Sequence, residues 1–291
     1  MHLGCLVAGL LVCPFVLIAQ SPAAQPSRTI TVYATVADRS GAFVTGLGAG
    51  DFLLKEDGRP VAIDAARIET GPATLVMLLD RSGSVTPQLG LVSRLAEALI
   101  DGLGPADRMQ IADLDGQSPP RPATWTSDRA ALRQAVEPSK PRVGQTLLWD
   151  RVIAAVSALS AQPGYRAVVV ISDGQDSMSR SRRDEVAKAA QRGRVIVHAI
   201  ELPLTLPPLV LNGRVMPITR SNDLRHVIAD TGGIRQLLPE VPEQTAVDTI
   251  RQAIRSSYAI TFTPRLSDGK SRELELRTVN RDLTVRIAKR Y

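Results

Sequence analysis

Short apolar segments that recur between residues 73 and 257 limit the folds open to this chain. The runs at residues 74–79 and 167–171 contain no charged residue, and only His198 interrupts the run at residues 195–200. A strand that is apolar on both sides is buried on both faces, as in a parallel sheet covered by helices. We therefore predict that these runs are neighbouring strands inside an α/β layer structure.

Segments with helical spacing separate these strands. They lie at residues 89–103, 128–136, 146–159, 183–192, 222–230 and 243–256, with further strands predicted at residues 108–114 and 124–126. Strands that alternate with helices in this way form βαβ units, whose crossovers place helices on both faces of a parallel sheet. The predicted fold class is α/β, with a doubly wound, mainly parallel sheet of the Rossmann-like kind.

The two ends of the mature chain have a different sequence pattern. Residues 27–70 and 258–291 show rough strand alternation broken by turn signals, among them Asp57-Gly58 and Asp268-Gly269. Neither end alone offers enough strands to close a core. We predict that the two segments together form one β-sandwich-like module that flanks the α/β domain at residues 73–257.

Residues 1–24 resemble a targeting segment. Residues 3–18 carry no charge and are followed by small residues, which is typical of a secretory signal peptide, here cleaved between Ala19 and Ala24. A retained anchor is the alternative, although about sixteen residues is short for a membrane span. Both cysteines, Cys5 and Cys13, lie in this segment, so the mature chain is predicted to lack a disulfide and a thiolate site.

The remaining sequence favours an exported protein that does not bind nucleic acid. It has no second hydrophobic span, so we expect a periplasmic, cell-surface or secreted protein with no transmembrane span in the mature chain. The net charge is +6, but basic residues are spread along the chain, and only 3% of residues are aromatic. Basic runs at residues 180–183 and 286–290 are interpreted as solvated faces. Attraction to anionic cell surfaces stays open.

Polar side chains follow two of the apolar strands where each strand ends. Asp80-Arg81-Ser82-Gly83-Ser84 follows residues 74–79, and Asp173 follows residues 167–171. Thr146 begins a helix between them. The carboxyl ends of parallel strands meet at one edge of a sheet, so two carboxylates and three hydroxyls are expected on one rim. Any one of these residues alone is more often a helix or loop cap.

This set resembles the metal ion-dependent adhesion site of von Willebrand factor type A domains. The resemblance implies that Asp80, Ser82, Ser84, Thr146 and Asp173 bind a divalent metal ion. A wider similarity, carried by Val44-Thr-Gly-Leu47, Thr231-Gly-Gly233 and residues 258–264, is to exported von Willebrand A-related proteins of Acidobacteria, whose A domain is flanked by β segments. An apolar segment at residues 202–220 departs from that pattern.

The donor set suits Mg²⁺, with Mn²⁺ or Ca²⁺ as alternatives. Mg²⁺ prefers oxygen ligands in octahedral geometry and keeps several waters, and hydroxyls supply oxygen without cancelling its charge. An open position then attracts the carboxylate of a protein ligand. The predicted function is a metal-dependent protein-binding or adhesion module.

Two other functions stay open at this stage. A structural envelope or assembly subunit would bind partners without metal, and a metal-dependent hydrolase would need a base. Ser82 lies in no Gly-x-Ser-x-Gly elbow, and neither His198 nor His226 has a motif that links it to Ser82, so we predict a protein that is not an enzyme. Asp113, Asp115 and Asp176 are interpreted as supporting or solvated residues.

The segment at residues 202–220 is apolar and rich in proline. Asn212-Gly213 stands between two short apolar runs, which predicts a small β-hairpin. Because the segment follows the strand at residues 195–200, we expect it to leave the sheet at the rim that carries Asp80 and Asp173. It either folds over its own helices or stands beside the metal.

Overall fold

The computed structural model describes residues 29–116, 118–136, 145–205, 209–211, 214–216, 223–266 and 268–291. The predicted signal peptide at residues 1–24 lies outside the described residues. Within them, no helix is long and apolar enough to cross a membrane.

The described chain contains strands and helices in the alternation that its sequence predicts. The strands are β1 (Ile30–Ala37), β2 (Phe52–Glu56), β3 (Arg59–Val61), β4 (Ile63–Ile68), β5 (Thr74–Leu79), β6 (Arg108–Asp113), β7 (Arg121–Thr126), β8 (Arg166–Ser172), β9 (Ile196–Glu201), β10 (Leu209–Leu211), β11 (Arg214–Met216), β12 (Arg235–Leu237), β13 (Tyr258–Phe262), β14 (Leu274–Thr278) and β15 (Thr284–Ile287). The α-helices are α1 (Leu89–Asp101), α2 (Arg129–Val136), α3 (Leu148–Ser160), α4 (Arg183–Gly193), α5 (Asp223–Asp230) and α6 (Glu243–Arg255).

The central sheet has six strands in the order β12-β9-β8-β5-β6-β7. All neighbours pair in parallel except β7, which runs antiparallel along β6 at the edge. Every residue of β5 and β9 is buried, which explains why the run at residues 74–79 has no charged residue and why the run at residues 195–200 is interrupted only by His198. The predicted mainly parallel sheet is confirmed.

Helices cover both faces of this sheet, as a doubly wound fold requires. Leu75, Met77 and Leu79 of β5 share one core with buried residues of α1, α2 and α6. Val76 and Leu78, which point to the opposite face, share a second core with α3, α4 and α5. The alternation along one buried strand therefore feeds two separate hydrophobic cores.

Two antiparallel sheets bring the ends of the described chain together. One has the order β15-β1-β13-β4 and the other β14-β2-β3, and they enclose a third core. Strand β13 lies between β1 and β4, so it is a central strand of the sheet that the amino-terminal segment forms. Phe52 and Tyr258 meet edge to face across this core with ring centroids 5.3 Å apart. A β module from both ends therefore flanks the α/β layer.

The boundaries at residues 27–70, 73–257 and 258–291 stay a prediction. Tyr33 of β1 and Ala259 of β13 belong to the same buried core as β5 and α1. The Tyr33 ring packs edge to face on that of Tyr165, at a centroid distance of 5.2 Å. The antiparallel sheet thus packs directly on the α/β layer.

Gly232 and Gly233 form the tightest junction between the β module and the central sheet. A Cβ atom on Gly233 would lie 1.8 Å from the carbonyl oxygen of Val197 in β9, and one on Gly232 would lie 2.6 Å from the carbonyl carbon of Ile287 in β15. Gly232 also has a φ of +77°, which favours glycine. The Thr231-Gly-Gly233 turn therefore allows three segments to approach closely.

Replacing Gly233 with alanine is expected to lower the free energy of unfolding by about 1–3 kcal/mol, because the methyl group must displace backbone rather than a flexible side chain. Gly50→Ala is the matched control, since a Cβ there meets nothing within 4 Å and its φ is not positive. Urea unfolding of the two variants measures the difference. Equal stabilities would contradict the close approach.

The predicted hairpin at residues 202–220 is confirmed in its pairing. Strands β10 and β11 are antiparallel, with Leu209 opposite Met216 and Leu211 opposite Arg214. Asn212 and Gly213 lie outside the described residues.

Candidate metal centre

The pairing of β5 with β8 places both predicted aspartates on one rim. Leu79 lies opposite Ile171 in the parallel register, so Asp80 and Ser172 are the next neighbours. The Asp80 amide donates to the carbonyl oxygen of Ile171 at 2.9 Å, and the Ser172 hydroxyl donates to Asp80 Oδ2 at 2.6 Å. Asp173 follows directly, and the Asp80 and Asp173 side chains are close enough for their charges to interact.

The loop after β5 folds back on its own carboxylate. The Ser82 amide donates to Asp80 Oδ1 at 2.9 Å, and the Ser82 and Ser84 hydroxyl oxygens lie 3.1 Å apart. A 3-10 helix over Gly83–Gln88 then leads into α1. Two of the predicted hydroxyls are thus adjacent to each other beside the first aspartate.

The loop after β8 is bound to the segment that carries Thr146. The Thr146 amide donates to the Ser177 hydroxyl at 2.8 Å, and the Thr146 carbonyl accepts the Ser177 amide at 3.0 Å. The Ser179 hydroxyl accepts the amide of Trp149 at 3.0 Å and so caps the first turn of α3. Thr146 is therefore held in place by the loop that begins at Asp173.

Sequence analysis missed Ser177 and Ser179. The only signal was the polar composition of the loop Asp173-Gly-Gln-Asp-Ser-Met-Ser179, which does not say which helix it caps. Asp176, interpreted as supporting or solvated, accepts the Ser179 hydroxyl at 2.5 Å and so orients the capping serine.

A small cavity lies against three of the predicted ligands. Its volume is about 10 Å³, close to what one water molecule needs, and Asp80, Ser82 and Thr146 line it. Asp115 and Gln145 are also in its wall, whereas Ser84 and Asp173 are not part of the lining. The structure therefore brings the five predicted residues to one rim, with three of them around a single space.

The electrostatics of this rim suit a bound cation. Burial raises the pKa of Asp80, hydrogen bonds from Ser172 and Ser82 lower it, and the charge of Asp173 raises it again. Asp173 Oδ2 is buried and has no hydrogen-bond partner in the described structure. Two buried carboxylates that repel each other, one with an unpartnered oxygen, lack the positive charge that a metal ion would supply.

To bind a metal ion, the carboxylates of Asp80 and Asp173 would need neutral oxygen ligands beside them. In the described part of the chain, no group of three or more His, Cys, Asp or Glu side chains is placed to hold a metal. The neutral donors among the five predicted residues are the hydroxyls of Ser82, Ser84 and Thr146. This donor set fits a hard divalent ion.

From the sequence, Asp113 was interpreted as a supporting or solvated residue. The interpretation as a solvated residue is wrong. Its side chain is fully buried at the end of β6, 3.0 Å from Arg81 Nε and 2.8 Å from Arg121 Nη2. Arg81, between Asp80 and Ser82, is itself buried and donates to the Val136 carbonyl oxygen at 3.0 Å. These contacts of Arg81 therefore hold the loop between Asp80 and Ser82 in place.

The apolar insertion begins at this rim, as expected from its place after β9. The Gln88 side-chain amide donates to the carbonyl oxygen of Pro203 at 2.8 Å, and the Thr205 hydroxyl donates to the Ser84 carbonyl. Residues 202–205 therefore lie against the loop that carries Ser82 and Ser84.

Neither His198 nor His226 has a contact with this site in the described part of the chain. His198 is buried in β9, where its Nδ1 accepts the Ile234 amide at 3.1 Å and its Nε2 lies 3.0 Å from the Tyr165 hydroxyl oxygen. Burial lowers the pKa of His198 from 6.5 to about 4. His226 is exposed on α5. Both ring nitrogens of His198 therefore have hydrogen-bond partners away from the rim.

A doubly wound α/β domain with carboxylates and hydroxyls on its carboxyl-end rim defines a class of proteins that bind ligands through that rim. The family model for the von Willebrand factor type A domain matches residues 75–175, which contain all five predicted ligands. The chain carries a von Willebrand factor type A domain. No curated protein sequence matches the chain.

Solved structures share this fold. The conserved hypothetical protein BatB from Bacteroides thetaiotaomicron aligns with a TM-score of 0.50 and 23% identity, over 62% of this chain and 97% of that one. Proximal thread matrix protein 1 from the mussel byssus, with a zinc-occupied metal ion-dependent adhesion motif, aligns with a TM-score of 0.52 and 14% identity, over 68% of this chain and 49% of that one. At these identities the similarity shows the fold alone.

Proposed function

We propose that this chain is a metal-dependent protein-binding module of an exported protein. Asp80, Ser82, Ser84, Thr146 and Asp173 hold one divalent ion, Mg²⁺ in the first instance, at the rim of the A domain. The observation that carries the proposal is the buried, unpartnered Asp173 Oδ2 beside a second buried carboxylate. The zinc-occupied motif of the mussel protein supports a divalent metal in this fold.

The described residues support a binding role for this rim. Ser172 and the Ser82 amide already hold both Asp80 oxygens, so Asp80 is oriented before any ion arrives. Ser177 positions Thr146 in the same way. When bound, the ion supplies an electrophilic position that attracts a carboxylate of a partner protein. The partner contact thus needs little rearrangement of the protein.

Adhesion is favoured over catalysis because no described histidine lies at the rim, and the carboxylates of Asp80 and Asp173 are assigned to the ion. His198 is buried, and its ring nitrogens are taken by Ile234 and Tyr165. Asp80 accepts two hydrogen bonds, which leaves it a poor candidate for proton transfer. We therefore propose a binding protein rather than a hydrolase. A structural subunit that binds without metal is the remaining alternative.

The first experiment measures metal binding directly. Calorimetry of the full chain should show one weakly bound Mg²⁺ or Mn²⁺, and Asp173→Ala should weaken binding more than tenfold, because it removes a charged ligand. In EDTA the variant should melt no lower than the wild type, since it relieves the repulsion between Asp80 and Asp173. Asp282→Ala, at an exposed turn of the β module, is the control. No heat from folded wild type at 10 mM of either metal (roughly 100-fold above a Kd of about 0.1 mM) would refute the metal site.

The second experiment separates the functions. Envelope extracts are passed over wild type and Asp80→Ala, each in Mg²⁺ and in EDTA. Capture that both EDTA and Asp80→Ala abolish supports metal-dependent adhesion. Capture that survives both supports the structural alternative, and turnover of a hydrolase substrate panel favours an enzyme.

Export is part of the same proposal. It is supported by the uncharged run at residues 3–18 and the small residues that follow it. Amino-terminal sequencing of the protein recovered from the cell envelope or medium should place cleavage between Ala19 and Ala24. An intact Met1 in cytoplasmic fractions alone would contradict export.

A further inference from the structure

A second cleft lies at the end of α4 that is opposite to the metal rim. Helix α4 begins ten residues after Asp173, at Arg183, and its eleven residues span about 16 Å. At its carboxyl end, Arg192 and Arg194 face the loop between β13 and β14 across a cleft of about 350 Å³. This volume lies within the range of small-molecule sites, so the cleft can hold a compact ligand.

Positive charge dominates this cleft. Arg192, Arg194 and Lys270 line it, and none of its described lining residues is acidic. Arg192 and Arg194 form no ion pair with an acidic side chain in the described structure. Lys270 interacts electrostatically with Asp268, but that carboxylate also accepts a hydrogen bond from Arg272 at 2.7 Å. The cleft therefore has an excess of positive charge that an anion would balance.

One wall of the same cleft is apolar. Leu266 is 60% exposed, which makes it one of four large exposed hydrophobic residues in the described structure, and Pro264 and Ile30 lie beside it. The Tyr291 ring stacks edge to face on Phe262 at 5.5 Å, so this wall is held in place. A ligand that joins an anionic group to an apolar body would match both walls.

The backbone conformation of Arg194 makes glycine a suitable replacement. Arg194 caps α4 in the left-handed region, with a φ of +51°, where glycine or asparagine is favoured. Arg194→Gly therefore removes the side chain at a position whose backbone favours glycine.

We propose that the cleft between α4 and the β13–β14 loop binds an amphiphilic anion, with the anionic group between Arg192, Arg194 and Lys270 and the apolar body against Leu266. A monoalkyl phosphate or a long-chain carboxylate has this chemistry, either free or as a lipid headgroup. This cleft contains none of the proposed metal ligands, so its test does not depend on the proposed adhesion function.

The test uses the full chain in EDTA, which removes any contribution from the metal rim. Calorimetry should show saturable binding of monomeric octyl phosphate, and weaker binding of inorganic phosphate and of octanol, which each lack one half of the ligand. Arg194→Gly and Lys270→Gln should each weaken octyl phosphate binding about tenfold, the effect of one charge-assisted hydrogen bond. Arg59→Gln, at an exposed arginine of β3, is the control.

Arg194→Gly keeps the test free of folding artefacts. Glycine suits a positive φ, so the melting temperature of this variant is expected to hold or rise while its affinity falls. Vesicles of phosphatidylglycerol and of phosphatidylcholine distinguish the two sources. Selective, Arg194-dependent binding to the anionic vesicles assigns a lipid headgroup, whereas octyl phosphate binding without vesicle binding assigns a free amphiphile. Absence of both, or binding that Arg194→Gly and Lys270→Gln leave unchanged, would overturn the proposal.

Discussion

Replacing Asp113 with asparagine is expected to lower the free energy of unfolding by about 3–5 kcal/mol, the cost of breaking a buried ion pair by removing one partner. Asp113 is fully buried between Arg81 and Arg121, and the Arg81 side chain is only 4% exposed. Asparagine keeps the shape but removes the negative charge, so the Arg81 guanidinium stays in the interior without the charge of Asp113 beside it. Urea unfolding followed by circular dichroism measures the change.

The control tests whether the loss comes from charge rather than shape. Arg81→Met should cost less than Asp113→Asn, because Asp113 keeps Arg121 as its partner. In the double variant, methionine also removes the buried cation that had faced Asp113, so part of the lost stability should return, with a coupling of roughly 1–3 kcal/mol. Additive losses would show that the two side chains act separately.

Arg81→Met should also weaken metal binding, because Arg81 fixes the loop between Asp80 and Ser82.

Acidification from pH 6.5 to pH 4 is expected to cost about 3 kcal/mol of stability through His198 alone. Its pKa is about 4 in the folded protein because burial disfavours the charged ring, and 6.5 is the ordinary value for an unfolded chain. Above pH 6.5 the ring is neutral in both states. Between these values the unfolded chain binds a proton that the folded chain does not, so stability falls by about 1.4 kcal/mol per pH unit. Below pH 4 this contribution becomes constant.

The measurement compares wild type with His198→Gln, which does not titrate in this range. Urea unfolding at intervals from pH 7.5 to pH 4 should give a steeper fall for wild type, and the difference isolates His198 from the acidic residues. The variant itself should be less stable at pH 7.5, since it disturbs the contacts with Ile234 and Tyr165. Parallel pH profiles would contradict the buried neutral ring.

The central layer could be predicted well because burial on both faces leaves a local pattern. The runs at residues 74–79 and 167–171 became β5 and β8 within a residue at either end, and the helix predicted at residues 89–103 became α1. Strand β12 was missed. It has three residues, Arg-Gln-Leu, and so short a polar edge strand has no periodicity to detect.

The rim residues could be predicted because parallel strands share a direction. Asp80 and Asp173 each follow a buried strand, so their meeting at one edge needs only the sheet and its sense. Ser177, Ser179 and the Arg81–Asp113 pair could not be found in this way. Their partners lie some thirty residues away, and a loop sequence does not state which distant helix or strand end it contacts.

By itself, the sequence determined the parallel sheet, its two covering layers of helices, and the loops that carry the candidate metal ligands. These features depend on hydrophobic periodicity and strand direction, which short stretches of sequence reveal. Only the tertiary structure decided that β13 lies between β1 and β4, that Arg81 is buried against Asp113, and that a cationic cleft opens at the end of α4. Each of these depends on which distant segments pack together, and packing partners are set by shape and charge in three dimensions.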